Sequence, residues 1–254
     1  MSKETSNKLY SFLYLFALYL GVKLLPIKEW IPVTWVVNLL MYVLYLLVIA
    51  LLVYESRKAK LEMQKNSQHL SYLLLIPLVI GGMSNLIYSW VFTAPIRESL
   101  DVAAFINNAG MTLCCVTIEE LLFRFFFLYF LQDVVKDGKY KDVLLILFSS
   151  LAFGLMHVVN FYGNNPLSVL TQIGYTVVLG LVLGFIALYF QTPIIPIIGH
   201  FIFNFLNTDL YALFYSLEMN TPYILTSLCI GIFVLGYVGI LYYIARRKNE
   251  HATC

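Results

Sequence analysis

The sequence predicts an all-α fold, a polytopic membrane helix bundle of about eight transmembrane helices forming one domain over residues 1–254. Hydrophobic residues make up 61% of the chain and mean hydropathy is +0.82, well above the range of soluble domains. Only 16 basic and 14 acidic residues are present, and they fall in short clusters between apolar runs. Those runs recur at near-regular intervals and leave no soluble block of domain size.

A helix needs ~20 apolar residues to cross the bilayer hydrocarbon. Windows of that kind fall at 9–25, 30–54, 70–92, 103–132, 143–162, 167–190, 194–215 and 221–244. The first follows Lys3 and Lys8 but is closed by no small-x-small cleavage pattern, so it reads as a retained span. The fourth carries Glu119, Glu120 and Arg124 in its middle and should score weakly in a hydropathy scan. NFYGNNP at 160–166 reads as a turn between the fifth and sixth spans. Gly180 and Gly184 form a GxxxG on the sixth span, expected to admit a neighbouring backbone. Pro193 and Pro196 open the seventh, where either a missing N–H is tolerated or the helix is locally broken.

Orientation follows from the distribution of cations, because cytoplasmic loops retain Lys and Arg. With eight spans, the side of the N-terminus collects Lys3, Lys8, Arg57, Lys58, Lys60, Lys65, Lys136, Lys139, Lys141, Arg246, Arg247 and Lys248. The opposite side collects only Lys23, Lys28 and Arg97, which places both termini in the cytoplasm. The net charge of +2 gives no footprint for nucleic acid. Cys114, Cys115, Cys229 and Cys254 make no CxxC pair and suggest neither a disulfide framework nor a zinc knuckle. The terminal HATC has its cysteine last, so the chain does not carry the usual prenylation motif.

Charges at the bilayer centre cost ~2.5–3.5 kcal/mol each on insertion scales, so two glutamates and an arginine must be paired or hydrated. Glu120 and Arg124 stand at i and i+4 in the favourable acid-first order and can neutralise each other. Glu119 points about 100° away from Glu120, so one arginine cannot serve both equally. A carboxylate without a cation suits a proton-accepting role. Two further i, i+4 pairs follow, Phe153 with His157 and His200 with Asn204. A single membrane histidine needs no more than an interhelical hydrogen bond, but two glutamates, two histidines and an asparagine on three spans can converge on one water-filled cavity.

The ordered set EELLFR (119–124), FGLMH (153–157) and HFIFN (200–204) resembles the E-E-x-x-x-R, F-x-x-x-H and H-x-x-x-N motifs of the CAAX protease and bacteriocin-processing family of intramembrane endopeptidases, also called the Abi family. The resemblance covers about residues 110 to 210, within a catalytic core at 103–215. It implies hydrolysis of a peptide bond in a membrane-associated protein or peptide substrate, with Glu119, Glu120, His157, His200 and Asn204 as catalytic residues and Arg124 and Phe153 in support. On the scheme it implies, Glu119 is the base, assisted by His157. His200 with Asn204 stabilises the oxyanion, a contribution of ~3–4 kcal/mol per donor. Arg124 holds Glu120.

That scheme requires no cofactor. A zinc version uses His157, His200 and Glu119 as ligands, with an open water position. The H-E-x-x-H helix of soluble zinc proteases is absent, which favours the glutamate–water scheme. Two other readings stand beside the peptidase: a non-catalytic scaffold for bacteriocin immunity or regulation, and a proton-coupled carrier. The expected location is the bacterial plasma membrane, with the lipid bilayer as surroundings. Phe125, Phe126 and Phe127 are expected in the core, and Asn207 and Asp209 at a water-facing outer end. One geometric tension accompanies the site. His157 lies late and His200 early in two spans of the same direction, so strong tilt or an opening near Pro193 is needed to bring them level.

Overall fold

The computed structural model describes residues 2–25, 33–58, 76–92, 99–138, 140–162, 165–190, 192–215 and isolated positions between 231 and 243. Among these the chain is helical, with no β-strand. Four helical stretches are long and apolar enough to cross a membrane, Thr34–Ser56, Lys141–Phe161, Pro166–Phe190 and Ile194–Phe214. The protein is an integral membrane helix bundle. The window 221–244, the basic clusters at 58–65 and 246–248, Cys229 and Cys254 lie wholly or almost wholly outside the described residues.

Helices α1 (Lys3–Leu24) and α2 (Thr34–Lys58) correspond to the first two windows. Ser2 caps α1 by accepting from the Thr5 amide, and Glu4 lies in its first turn, as the helix dipole favours. The described part of the third window is two short helices, α3 (Ile76–Gly82) and α4 (Ser84–Phe92), joined at Met83. The fourth is continuous from α5 (Val102–Glu120) through a π-helical segment, Leu121–Phe127, into α6 (Leu128–Val134). It is not among the four apolar candidates. Helix α7 (Lys141–Leu155) tightens into a 3-10 turn, Met156–Phe161, before α8 (Pro166–Phe190). The last described stretch is α9 (Ile194–Asn204), a π turn over Phe205–Asp209, and α10 (Leu210–Phe214).

The GxxxG of α8 packs as its spacing predicts. A Cβ on Gly180 would meet the Ser150 Cα at 3.0 Å, and one on Gly184 would meet the Ile146 side chain at 3.3 Å. Reciprocally, Gly154 of α7 faces Val177. Small residues on both helices therefore let α7 and α8 approach backbone to backbone, which fixes the depth of the 3-10 turn that follows α7. Phe12, Phe123 and Phe153 are buried in one apolar cluster with Leu15, Tyr19 and Ile118, joining α1, α5, the π segment and α7. Phe125 and Phe126 are buried in the same cluster and Phe127 packs against it, as expected of core residues.

Asn207 and Asp209 depart from expectation. They are only 7% and 5% exposed, not water-facing. The Ser84 hydroxyl donates to Asn207 Oδ1 at 2.9 Å, and Asn85 Nδ2 donates to the Asn207 carbonyl at 2.6 Å. The cause is tertiary: α4 supplies polar side chains against a π turn whose loosened backbone leaves a carbonyl to be satisfied. Hydropathy read one segment at a time cannot show that pairing. At the other end of α9, Pro193 is the N-cap with helical backbone and Pro196 lies in the first turn. The helix entry is intact, so the tolerated-proline alternative holds.

The α7–α8 contact generates a prediction. Gly180→Leu should lower the stability of the detergent-solubilised protein by about 1–3 kcal/mol through overpacking against Ser150. Gly174→Leu, at an exposed position with open space around it, should leave it nearly unchanged. Thermal unfolding of the two variants measures the difference.

Candidate active site

The two adjacent glutamates end α5, where the helix passes into the π segment. Both are buried, Glu119 at 5% and Glu120 at 0% exposure. Their side chains diverge as the helical angle requires and find different partners. Glu120 Oε2 lies 3.4 Å from Arg124 Nε, an i, i+4 ion pair with both side chains fully buried. Its other oxygen, Oε1, accepts from His200 Nδ1 at 2.9 Å. Glu119 Oε1 instead accepts from the Tyr19 hydroxyl at 2.7 Å. Among the described residues Tyr19 is its hydrogen-bond partner.

Arg124 is held on three sides. Nη1 donates to Ser149 Oγ at 3.2 Å, and that hydroxyl donates onward to the Phe123 carbonyl at 3.1 Å. The guanidinium carbon stands 4.6 Å from the Phe153 ring centre, a cation–π contact made in a desolvated setting. Nε and Nη2 have no hydrogen-bond acceptor, so Glu120 binds Arg124 by charge and not by a bidentate fork. A short lysine could not reproduce the Ser149 and Phe153 contacts together.

Phe153 is the hub between the two histidines. Its ring centre is 5.5 Å from that of His157 and 5.5 Å from that of His200, edge-on to both at 86° and 88°. The depth mismatch anticipated from helix position is thus resolved around one side chain that reaches both rings. His157 lies in the 3-10 turn, and its Nδ1 is 3.1 Å from the Phe153 carbonyl, so N–H at Nδ1 leaves Nε2 as an acceptor. His200 Nδ1–H donates to Glu120, and Nε2 accepts from Asn204 Nδ2 at 3.2 Å. This is the neutral tautomer, and it leaves the second amide N–H of Asn204 free to donate. Asn204 is partly exposed, whereas His157 and His200 are 6% and 2% exposed.

The structure therefore joins Arg124, Glu120, His200 and Asn204 into one chain of contacts, with Phe153 packed against its centre and His157 against the same ring. Lys23, His157 and His200 all act electrostatically on Glu119. Among the described residues no group of three His, Cys, Asp and Glu side chains is placed to hold a metal ion. Two participants escaped the reading of the sequence. Ser149 is one serine in an apolar helix, and Tyr19 lies 100 positions from its partner. No spacing rule points to either.

Acid, imidazole and amide groups thus meet within a membrane helix bundle. Residues 101–206 match the family model of type II CAAX prenyl endopeptidase Rce1-like proteins. All three motifs lie within the match, which bears out the resemblance, and the family is a protease family. The match leaves out α1 to α4. No curated protein and no solved structure matches the chain.

The ion pair generates a prediction. Arg124→Leu strands a buried carboxylate and should cost about 3–5 kcal/mol of stability, whereas Arg124→Leu with Glu120→Leu should recover only part of it, because His200 Nδ1–H then loses its acceptor. Chemical or thermal unfolding of the single and double variants distinguishes the two.

Proposed function

We propose that the protein is an intramembrane endopeptidase of CAAX type, cleaving a peptide bond near a membrane-anchored end of its substrate by water activated at Glu119. The observation that supports this reading best is the asymmetry of the two glutamates. Glu120 is tied by an ion pair to Arg124 and a hydrogen bond to His200, while Glu119 is held by the neutral hydroxyl of Tyr19. Only the second arrangement suits a base.

In this scheme Glu119 accepts a proton from water as the water oxygen bonds to the scissile carbonyl carbon, with His157 Nε2 accepting the other O–H. Charge develops on the carbonyl oxygen, which accepts from the free Asn204 N–H. His200 holds that amide in place and is itself held by Glu120 and Arg124. The carbon–nitrogen bond then breaks as Glu119 returns the proton to the leaving amine, giving a new carboxyl and a free amine. Low dielectric strengthens the hydrogen bond to the oxyanion, and the fixed donor pays no reorganisation at the moment of reaction.

The zinc version would draw its ligands from His157, His200 and Glu119. Both His200 nitrogens are already engaged, one by Glu120 and one by Asn204, so ligation requires a rearrangement of that chain. We place both termini in the cytoplasm on the cation count, with the substrate's anchored end approaching from the membrane.

The test is cleavage, by purified protein in detergent, of a prenylated peptide ending in Cys-Val-Ile-Met, against its unprenylated counterpart, with products identified by mass spectrometry. Glu119→Ala and His200→Ala should abolish turnover. Asn204→Ala should lower kcat about 10²- to 10³-fold, as loss of an oxyanion donor does. Full activity in both Glu119→Ala and His200→Ala would rule this site out. Loss of wild-type activity on chelation, restored by zinc, would replace the glutamate–water scheme with the metal one.

A further inference from the structure

Helix α1 lies outside the residues that match the family, yet it reaches the proposed base. The Tyr19 hydroxyl donates to Glu119 Oε1 at 2.7 Å, and Tyr19 itself is 0% exposed. A chain of contacts sets the register that brings it there. Near the start of α1, Lys8 Nζ pairs with Asp133 at 2.8 Å and stands 3.7 Å above the Tyr129 ring. One turn on, Phe12 packs against Phe127 at 4.8 Å and Phe123 at 5.9 Å between ring centres. Phe16 meets Phe123 at 5.9 Å. These contacts run antiparallel, residue numbers rising in α1 as they fall from α6 to α5, and they deliver Tyr19 opposite Glu119.

We infer that Tyr19 is a positioning residue for the peptidase, its phenol pinning one oxygen of Glu119 so that the other is presented to water. The inference rests on the reading in which Glu119 is the base. A buried carboxylate needs a donor, and each candidate donor has a different consequence. An arginine or lysine in contact would bind both oxygens or hold the group permanently ionised. A water would leave the carboxylate free to rotate. A phenol supplies one neutral donor on a stiff ring that rotates about only two side-chain torsions. That ring is itself packed near Tyr45, 6.5 Å between centres. Lys23 of α1, Tyr45 of α2, Cys115 of α5, Arg124, His157 of the 3-10 turn and His200 of α9 lie close enough to interact electrostatically with Glu119.

The alternative is that Tyr19 only ties α1 to the bundle, in which case its hydroxyl contributes stability and nothing to turnover. Steady-state kinetics with the prenylated Cys-Val-Ile-Met peptide separate the two. Tyr19→Phe keeps the ring and removes the donor, and should lower kcat about 10- to 100-fold with KM within about twofold, the size expected of a hydrogen bond to a charged group. Ser2→Ala, which removes the N-cap of α1 and touches none of these contacts, should lower the melting temperature while leaving kcat unchanged. Tyr19→Phe added to Glu119→Gln should cause no further loss.

Wild-type cleavage that Glu119→Ala abolishes, combined with an unaltered kcat in Tyr19→Phe, overturns the role of Tyr19 and leaves the peptidase intact. Activity that survives Glu119→Ala, or no cleavage by the wild type, overturns the reading beneath it. If Tyr19→Phe does not fold, 3-fluorotyrosine at position 19 keeps ring and hydroxyl but strengthens the donor. A changed kcat at constant melting temperature then supports the inference, and an unchanged kcat overturns it.

Discussion

Glu120 carries two obligations that hold the middle of this protein together. A fully buried carboxylate must be neutralised, and Arg124 four residues along the same helix does that at 3.4 Å. Its second oxygen fixes the ring of His200, which fixes Asn204. Each group in the series is oriented by the one before it, so no member can move without leaving another buried polar group unpaired. Phe153 adds the apolar counterpart, one ring in contact with the guanidinium and both imidazoles. Rigidity here comes from the penalty for breaking any link and not from the strength of each.

The helices around this chain serve it by irregularity as much as by regularity. The π segment after Glu120 and the 3-10 turn at His157 fall where the chemistry-bearing residues stand. A uniform α-helix would satisfy every backbone group but offer no freedom in where a side chain is aimed. Wider and tighter turns shift that aim, and the freed carbonyls are taken up locally, as Ser149 does for Phe123. The close α7–α8 approach through Gly180 and Gly154 then anchors the 3-10 turn to a rigid pair. Site and scaffold are built from one set of contacts.

A second polar layer accompanies the first. Ser84, Asn85 and Ser89 of α4 meet Asn207 and Tyr211 beyond the end of α9, so the same stretch that carries His200 and Asn204 is hydrogen-bonded again one to two turns later. Serine and asparagine here act as interhelical glue, with no formal charge to neutralise. Together with Gly82, whose Cβ would meet Phe203 backbone at 3.0 Å, they hold α3 and α4 against α9.

Much of the protein was legible in the sequence because the bilayer imposes one-dimensional rules. Span length, the charge anomaly of the fourth helix, the GxxxG contact and the pairing of Glu120 with Arg124 are all set by spacing along a helix, and spacing is what a sequence records. The three motifs likewise marked Arg124, His157 and His200, which the fold gathers around Phe153. Tertiary structure alone decided which oxygen of which glutamate is committed, that Asn207 and Asp209 turn inward, and that Tyr19 and Ser149 join the site. Those outcomes depend on how separate helices are registered and rotated against each other, and a tyrosine on an apolar helix has the same local pattern whether it faces lipid or a buried carboxylate.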